Sequence, residues 1–66
     1  MKVIVNSRAV ELPPAATVAA LLAQLGVGGP YALVERNGKP VEREQYPELE
    51  LEEGDALVVA RPVAGG

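Results

Sequence analysis

One stretch of this chain has the spacing of an amphipathic helix, and the rest must be arranged around it. Val18, Leu21, Leu22 and Leu25 fall at i, i+3, i+4 and i+7, on one helical face. Thr17 stands at the N-cap position, and Gly26 stands where a left-handed C-terminal cap is wanted. The capping box is incomplete, because Ala20 occupies the place from which Glu or Gln would reach back. A lone apolar stripe must be buried against another element, so this helix is expected to cover one face of a sheet.

The flanking segments supply the strands. Met1, Val3 and Val5 alternate with Lys2, Ile4 and Asn6, and after Asn6-Ser7 the residues Val10 and Leu12 alternate with Ala9 and Glu11. Residues 1–12 therefore predict a β-hairpin, which Pro13-Pro14 ends. Beyond the helix, Gly28-Gly29-Pro30 predicts a loop and 31–36 a third strand, closed by the turn signal Asn37-Gly38. A short extended piece around 40–42 leads into a single helical or 3₁₀ turn over 43–47. Leu49 and Leu51 alternate with glutamates. Glu53-Gly54-Asp55 forms a turn, and 56–61 the last strand. The fold class is α+β, with a mixed sheet of four to five strands and one main helix on one face. The expected organisation is one domain over 1–61 and a C-terminal tail over 62–66.

Composition narrows the chemistry. The chain has 66 residues and neither Cys nor His. Disulfides, thiolate nucleophiles and imidazole bases are excluded, and no metal site is expected. So small a domain buries only about 60% of its unfolded surface, which leaves little material for a deep substrate pocket. A self-sufficient enzyme is disfavoured. The net charge is −3, with six basic residues scattered among nine acidic ones; nucleic acid and anionic membranes are not expected partners. With no apolar run approaching a span and no signal-peptide pattern in MKVIVNS, the expected location is cytoplasmic.

Side chains offer few alternatives. Glu42, Glu44, Glu48, Glu50, Glu52 and Glu53 read as a solvated surface, since the ligand spacing of an EF-hand loop is missing. Gly26, Gly28 and Gly29 match no phosphate-binding loop. Tyr31 and Tyr46 read as partly buried packing residues.

The C-terminus is different. Pro62-Val63-Ala64-Gly65-Gly66 runs past the last strand, and its final residues have almost no side chain. Five extended residues reach about 16–18 Å, enough to enter another protein's cleft. If a partner enzyme brings the α-carboxylate of Gly66 to the α-phosphate of ATP, an acyl-adenylate forms, and a sulfur nucleophile then leaves a thiocarboxylate. A narrow channel protects such an anhydride from water, and a Cβ at Gly65 or Gly66 would obstruct it. Gly66 is the candidate reacting residue, with Gly65 beside it. No cofactor is expected on the chain itself; ATP is used by the partner.

These pieces together resemble the ubiquitin-like β-grasp fold, and within it the sulfur carrier protein family of thiamine biosynthesis. The likeness rests on Ala16-Thr17-Val18 with Leu21-Leu22, on Asn37, and on Val41 followed by Arg43-Glu44-Gln45-Tyr46. Glu53-Gly54-Asp55 and Val63-Ala64-Gly65-Gly66 complete it. Asn6-Ser7, where the family often has Asn-Gly, and Arg36, where an aliphatic residue is commoner, depart from it. The resemblance implies three partners: a ubiquitin-activating-type adenylyltransferase, a sulfur donor such as a cysteine desulfurase, and thiazole synthase. The small subunit of molybdopterin synthase and tRNA-thiolation carriers are the alternatives. A ubiquitin-like interaction module with an idle tail is the reading of another class.

The β-grasp order puts the first, last and third strands at the sheet centre, with the helix over Val3, Val5, Val34, Leu57 and Val59. The opposite face then presents Ile4, Leu33, Val58 and Ala60, an apolar patch expected to bind partners together with Val63 and Ala64 of the tail.

Overall fold

The computed structural model describes residues 1–27 and 32–60. Strands β1 (Lys2–Val5) and β2 (Arg8–Glu11) form the first hairpin, with Val3 opposite Val10 and Val5 opposite Arg8. Its turn residues Asn6 and Ser7 both have positive φ, 50° and 71°. That left-handed pair suits the twist of the flanking strands, and asparagine tolerates it better than most residues.

Helix α1 (Val18–Gln24) follows. The Thr17 Oγ1 accepts the Ala20 N–H at 3.2 Å, satisfying one of the donors that a helix start leaves free. Gly26 has φ +71°, the left-handed conformation of a C-terminal cap. Val18, Leu21 and Leu22 are buried as the stripe predicts. Leu25 is not: it is 38% exposed. The helix ends at Gln24, so Leu25 is its C-cap, and Gly26 turns the chain before another turn can carry Leu25 onto the core.

Strands β3 (Leu33–Arg36), β4 (Lys39–Pro40) and β5 (Ala56–Ala60) complete a five-stranded sheet in the order β2-β1-β5-β3-β4. β5 runs parallel to β1 and antiparallel to β3. This is the mixed sheet of a β-grasp, with β1, β5 and β3 at its centre. The third strand begins at Leu33 rather than 31: the Ala32 carbonyl accepts the Tyr46 hydroxyl at 2.8 Å instead of continuing a ladder, and Tyr31 lies outside the described residues. The extended piece expected over 40–42 is observed at Lys39–Pro40, because Glu42 already caps a 3₁₀ turn over Arg43–Gln45. Leu49 and Leu51 lie on no strand beyond a single bridge from Glu50 to Thr17, although Leu51 is buried.

The core is aliphatic. Leu21, Val3 and Val18 are fully buried between helix and sheet, joined by Val5, Leu22, Val34, Leu51 and Leu57. Val59 is half-buried against this cluster.

Candidate functional site

Three features of the sheet bear on function: its open face and the two ends of β5. The pleat puts alternate residues on opposite faces. Val34 and Leu57 point to the helix, and Leu33 and Val58 are 56% and 51% exposed on the other side. Ile4 is 36% exposed, and Ala60 is exposed. Leu33 lies opposite Ala60, Val58 opposite Glu35, and Ile4 opposite Ala56. The four apolar residues predicted for the open face therefore form a band across β1, β5 and β3. Leu33, Val58 and Ala60 also line an open groove of about 290 Å³ that reaches Pro40 and Tyr46.

The start of β5 is fixed by a polar hub that composition does not reveal. Asp55 is the one buried charged residue among the described residues, 7% exposed. Its carboxylate accepts the Glu52 N–H at 2.8 Å, the Arg36 Nε at 2.9 Å and the Asn37 side-chain amide at 3.1 Å. Burial pushes the Asp55 carboxyl up, but these bonds and the Arg36 charge outweigh it and hold it below the usual aspartate range. Arg36 is thus the ion-pair partner of Asp55, with Glu52 3.9 Å from the same guanidinium. The Asn37 Oδ1 accepts the Ala56 N–H at 2.9 Å, and the Asn37 N–H donates to the Ala56 carbonyl at 2.7 Å.

The far end of β5 is held the same way. The Asn6 side chain accepts the Val59 N–H at 2.9 Å and donates to the Val59 carbonyl at 3.0 Å. Asn6 and Asn37 are each the first residue of a hairpin turn, with φ 50° and 52°. Both reach sideways onto the main chain of β5. Sequence reasoning assigns these asparagines only to turns; the signal for their second role is that both turns adjoin strands paired with β5.

Beyond Ala60 the chain continues into Val63, Ala64, Gly65 and Gly66, which lie outside the described residues, as does Arg61. The six glutamates of residues 42–53 are exposed, and no acidic cluster among the described residues has the makings of a metal site. No helix among the described residues is long and apolar enough to cross a membrane. With neither Cys nor His, the chain offers no thiolate nucleophile and no imidazole base.

Comparison with known proteins agrees with this architecture. The model of the ThiS family matches residues 2–66. A crystal structure of the thiamine biosynthesis protein (ThiS) from Geobacter metallireducens superimposes with a TM-score of 0.79 at 32% identity, covering all of both chains. A solution structure of a thiamine biosynthesis protein from the same organism gives 0.80 at 32% identity, covering all of this chain and 88% of that one. A thiazole synthase from Paramagnetospirillum magneticum is 33% identical over 66 residues. That match takes in the whole of this chain, which spans only 20% of the relative's length.

Proposed function

The chain belongs to the ThiS family, and from that premise we propose that it carries sulfur for thiamine biosynthesis on the carboxylate of Gly66. Its role is that of a protein co-substrate, with catalysis supplied by its partners. A carboxylate oxygen of Gly66 attacks the α-phosphorus of ATP held by an adenylyltransferase; the bond to the β-phosphate oxygen breaks, and pyrophosphate leaves. A sulfur nucleophile then attacks the acyl carbon, and AMP departs. With hydrosulfide the product is the thiocarboxylate directly, with loss of one proton. With a desulfurase-derived persulfide it is an acyl disulfide, whose S–S bond a thiol then cleaves.

The single observation that carries this reading is the match of residues 2–66 to the ThiS family, with the small residues Ala64-Gly65-Gly66 inside the matched span. Small terminal residues suit passage into a narrow site that keeps water from the mixed anhydride. The likeness of the whole chain to one fifth of a thiazole synthase supports thiazole synthase as the sulfur acceptor's enzyme. The same relative favours the thiamine reading over molybdopterin or tRNA thiolation. The apolar band of Ile4, Leu33, Val58 and Ala60 would seat the body on the activating enzyme while the tail enters its nucleotide site.

The test is ATP–pyrophosphate exchange by the host's adenylyltransferase. Exchange should depend on this chain and disappear when Gly66 is deleted. Exchange that persists with the truncated chain would contradict the assignment.

A further inference from the structure

We propose that Asn6 is a positioning residue that fixes the point from which the reactive tail leaves the sheet. The inference rests on the carrier reading above. The register of β1 on β5 pairs Ile4 with Ala56 and Val5 with Leu57; one step further puts Asn6 beside Val58. The Asn6 N–H makes the expected parallel-ladder bond to the Leu57 carbonyl at 2.9 Å. The next rung would need the Asn6 main-chain carbonyl, but at φ 50° the chain is already turning away into the hairpin. The Asn6 side-chain amide takes its place. Oδ1 accepts the Val59 N–H, and Nδ2 donates to the Val59 carbonyl.

Both main-chain polar groups of Val59 thereby end on one side chain, on the flank of β5 that faces away from β3. Opposite that flank, the pairing of Val34 with Val59 and Leu33 with Ala60 continues. Val59 is thus the last described position of β5 held from both sides. Seven residues follow it to Gly66, a reach of about 23–25 Å when extended. Without the Asn6 side chain the last two-sided position slips back to Leu57. Val58 to Ala60, from which the arm continues, are then held by β3 alone. A carboxylate that must meet a phosphorus atom in another protein then pays for its placement on binding.

Asn37 is the matched control: it has the same backbone conformation and clips the opposite end of the same strand through the Ala56 N–H. Glycine tolerates φ near 50° without strain, so Asn6→Gly and Asn37→Gly leave each turn unstrained, although Asn37→Gly also removes the amide bond to Asp55. Amide hydrogen exchange and carrier-dependent ATP–pyrophosphate exchange would be measured on both full-length variants at a temperature where each is folded. Asn6→Gly should speed exchange of the Val59 amide at least about tenfold and raise the KM for the carrier about fivefold, the equivalent of one net hydrogen bond, with kcat nearly unchanged. Asn37→Gly should speed exchange at Ala56 and leave KM where it is. Asn6→Asp, which keeps the acceptor but not the donor, should fall between. The inference is overturned if Asn6→Gly leaves the Val59 amide or the KM unaltered, or if Asn37→Gly raises KM equally. If the wild-type chain supports no exchange at all, the carrier reading fails and this inference with it.

Discussion

The guanidinium of Arg36, at the end of β3, donates through Nε to the carboxylate of Asp55, which leads into β5, at 2.9 Å. The two partners differ in what they can do without each other. The Arg36 side chain is 24% exposed and can turn its charge to water, whereas Asp55 is buried and serves three donors. Asp55→Ala should therefore cost about 2–3 kcal/mol, since it orphans the Glu52 N–H and the Asn37 amide together with Arg36. Arg36→Leu should cost about 1 kcal/mol or less, because Asp55 keeps two of its bonds. Urea denaturation of both variants would check the ranking.

The same carboxylate sets an acid limit on stability. The folded pKa of Asp55 lies below its ordinary value of 3.8, so as pH falls the unfolded chain takes up the proton first. The stabilisation is complete above the ordinary value and is lost as pH falls through the folded one. Melting temperatures recorded from pH 6 downward, in about half-unit steps, should show a decline below about pH 4 that is shallower in Asp55→Asn. An identical acid limb in the variant would mean that other carboxylates carry the loss.

Partner binding through the open face can be tested at Val58. Glu35 sits directly opposite it, so a lysine there gains a cross-strand partner, where an aspartate would meet a like charge. Val58→Lys should change stability by about 0.5 kcal/mol or less. It should weaken affinity for the activating enzyme about tenfold or more, measured by calorimetric titration.

A core this small has no reserve. Leu21 is 0% exposed, fully buried like Val3 and Val18. Leu21→Ala should cost about 3–4 kcal/mol. Against the few kcal/mol available to a domain of this length, that leaves a substantial unfolded population at room temperature, visible as loss of amide dispersion in a proton–nitrogen spectrum.

Periodicity carried most of the fold. The strand alternation of Met1–Asn6 and the stripe of Val18, Leu21 and Leu22 each report which side faces the core, and they agree with the observed burial of Val3, Val5, Val18, Leu21 and Leu22. Periodicity could not reveal where elements stop. Leu25 matches the helical stripe but lies past the turn that Gly26 makes, and Ala32 matches a strand but gives its carbonyl to Tyr46. Nor could it find the long-range side-chain bonds of Asn6, Asn37 and Asp55, which join residues 18 to 53 positions apart. Arg36 shows this most plainly: in sequence it is a charged residue where an aliphatic one is commoner, and only the approach of β3 to β5 supplies Asp55. The apolar band was legible because the strand order fixes which residues share a face. The proposal for Gly66 rests on chemistry alone, on two glycines and a carboxylate, since residues 61–66 lie outside the described residues.

The central claim is that the carboxylate of Gly66 becomes the sulfur-bearing group. The most direct measurement is top-down mass spectrometry of the intact chain after incubation with its adenylyltransferase, ATP and sulfide. The account predicts one oxygen exchanged for sulfur, with C-terminal fragments placing the change on Gly66. An unchanged mass with an active enzyme, or sulfur found on any other residue, would contradict it.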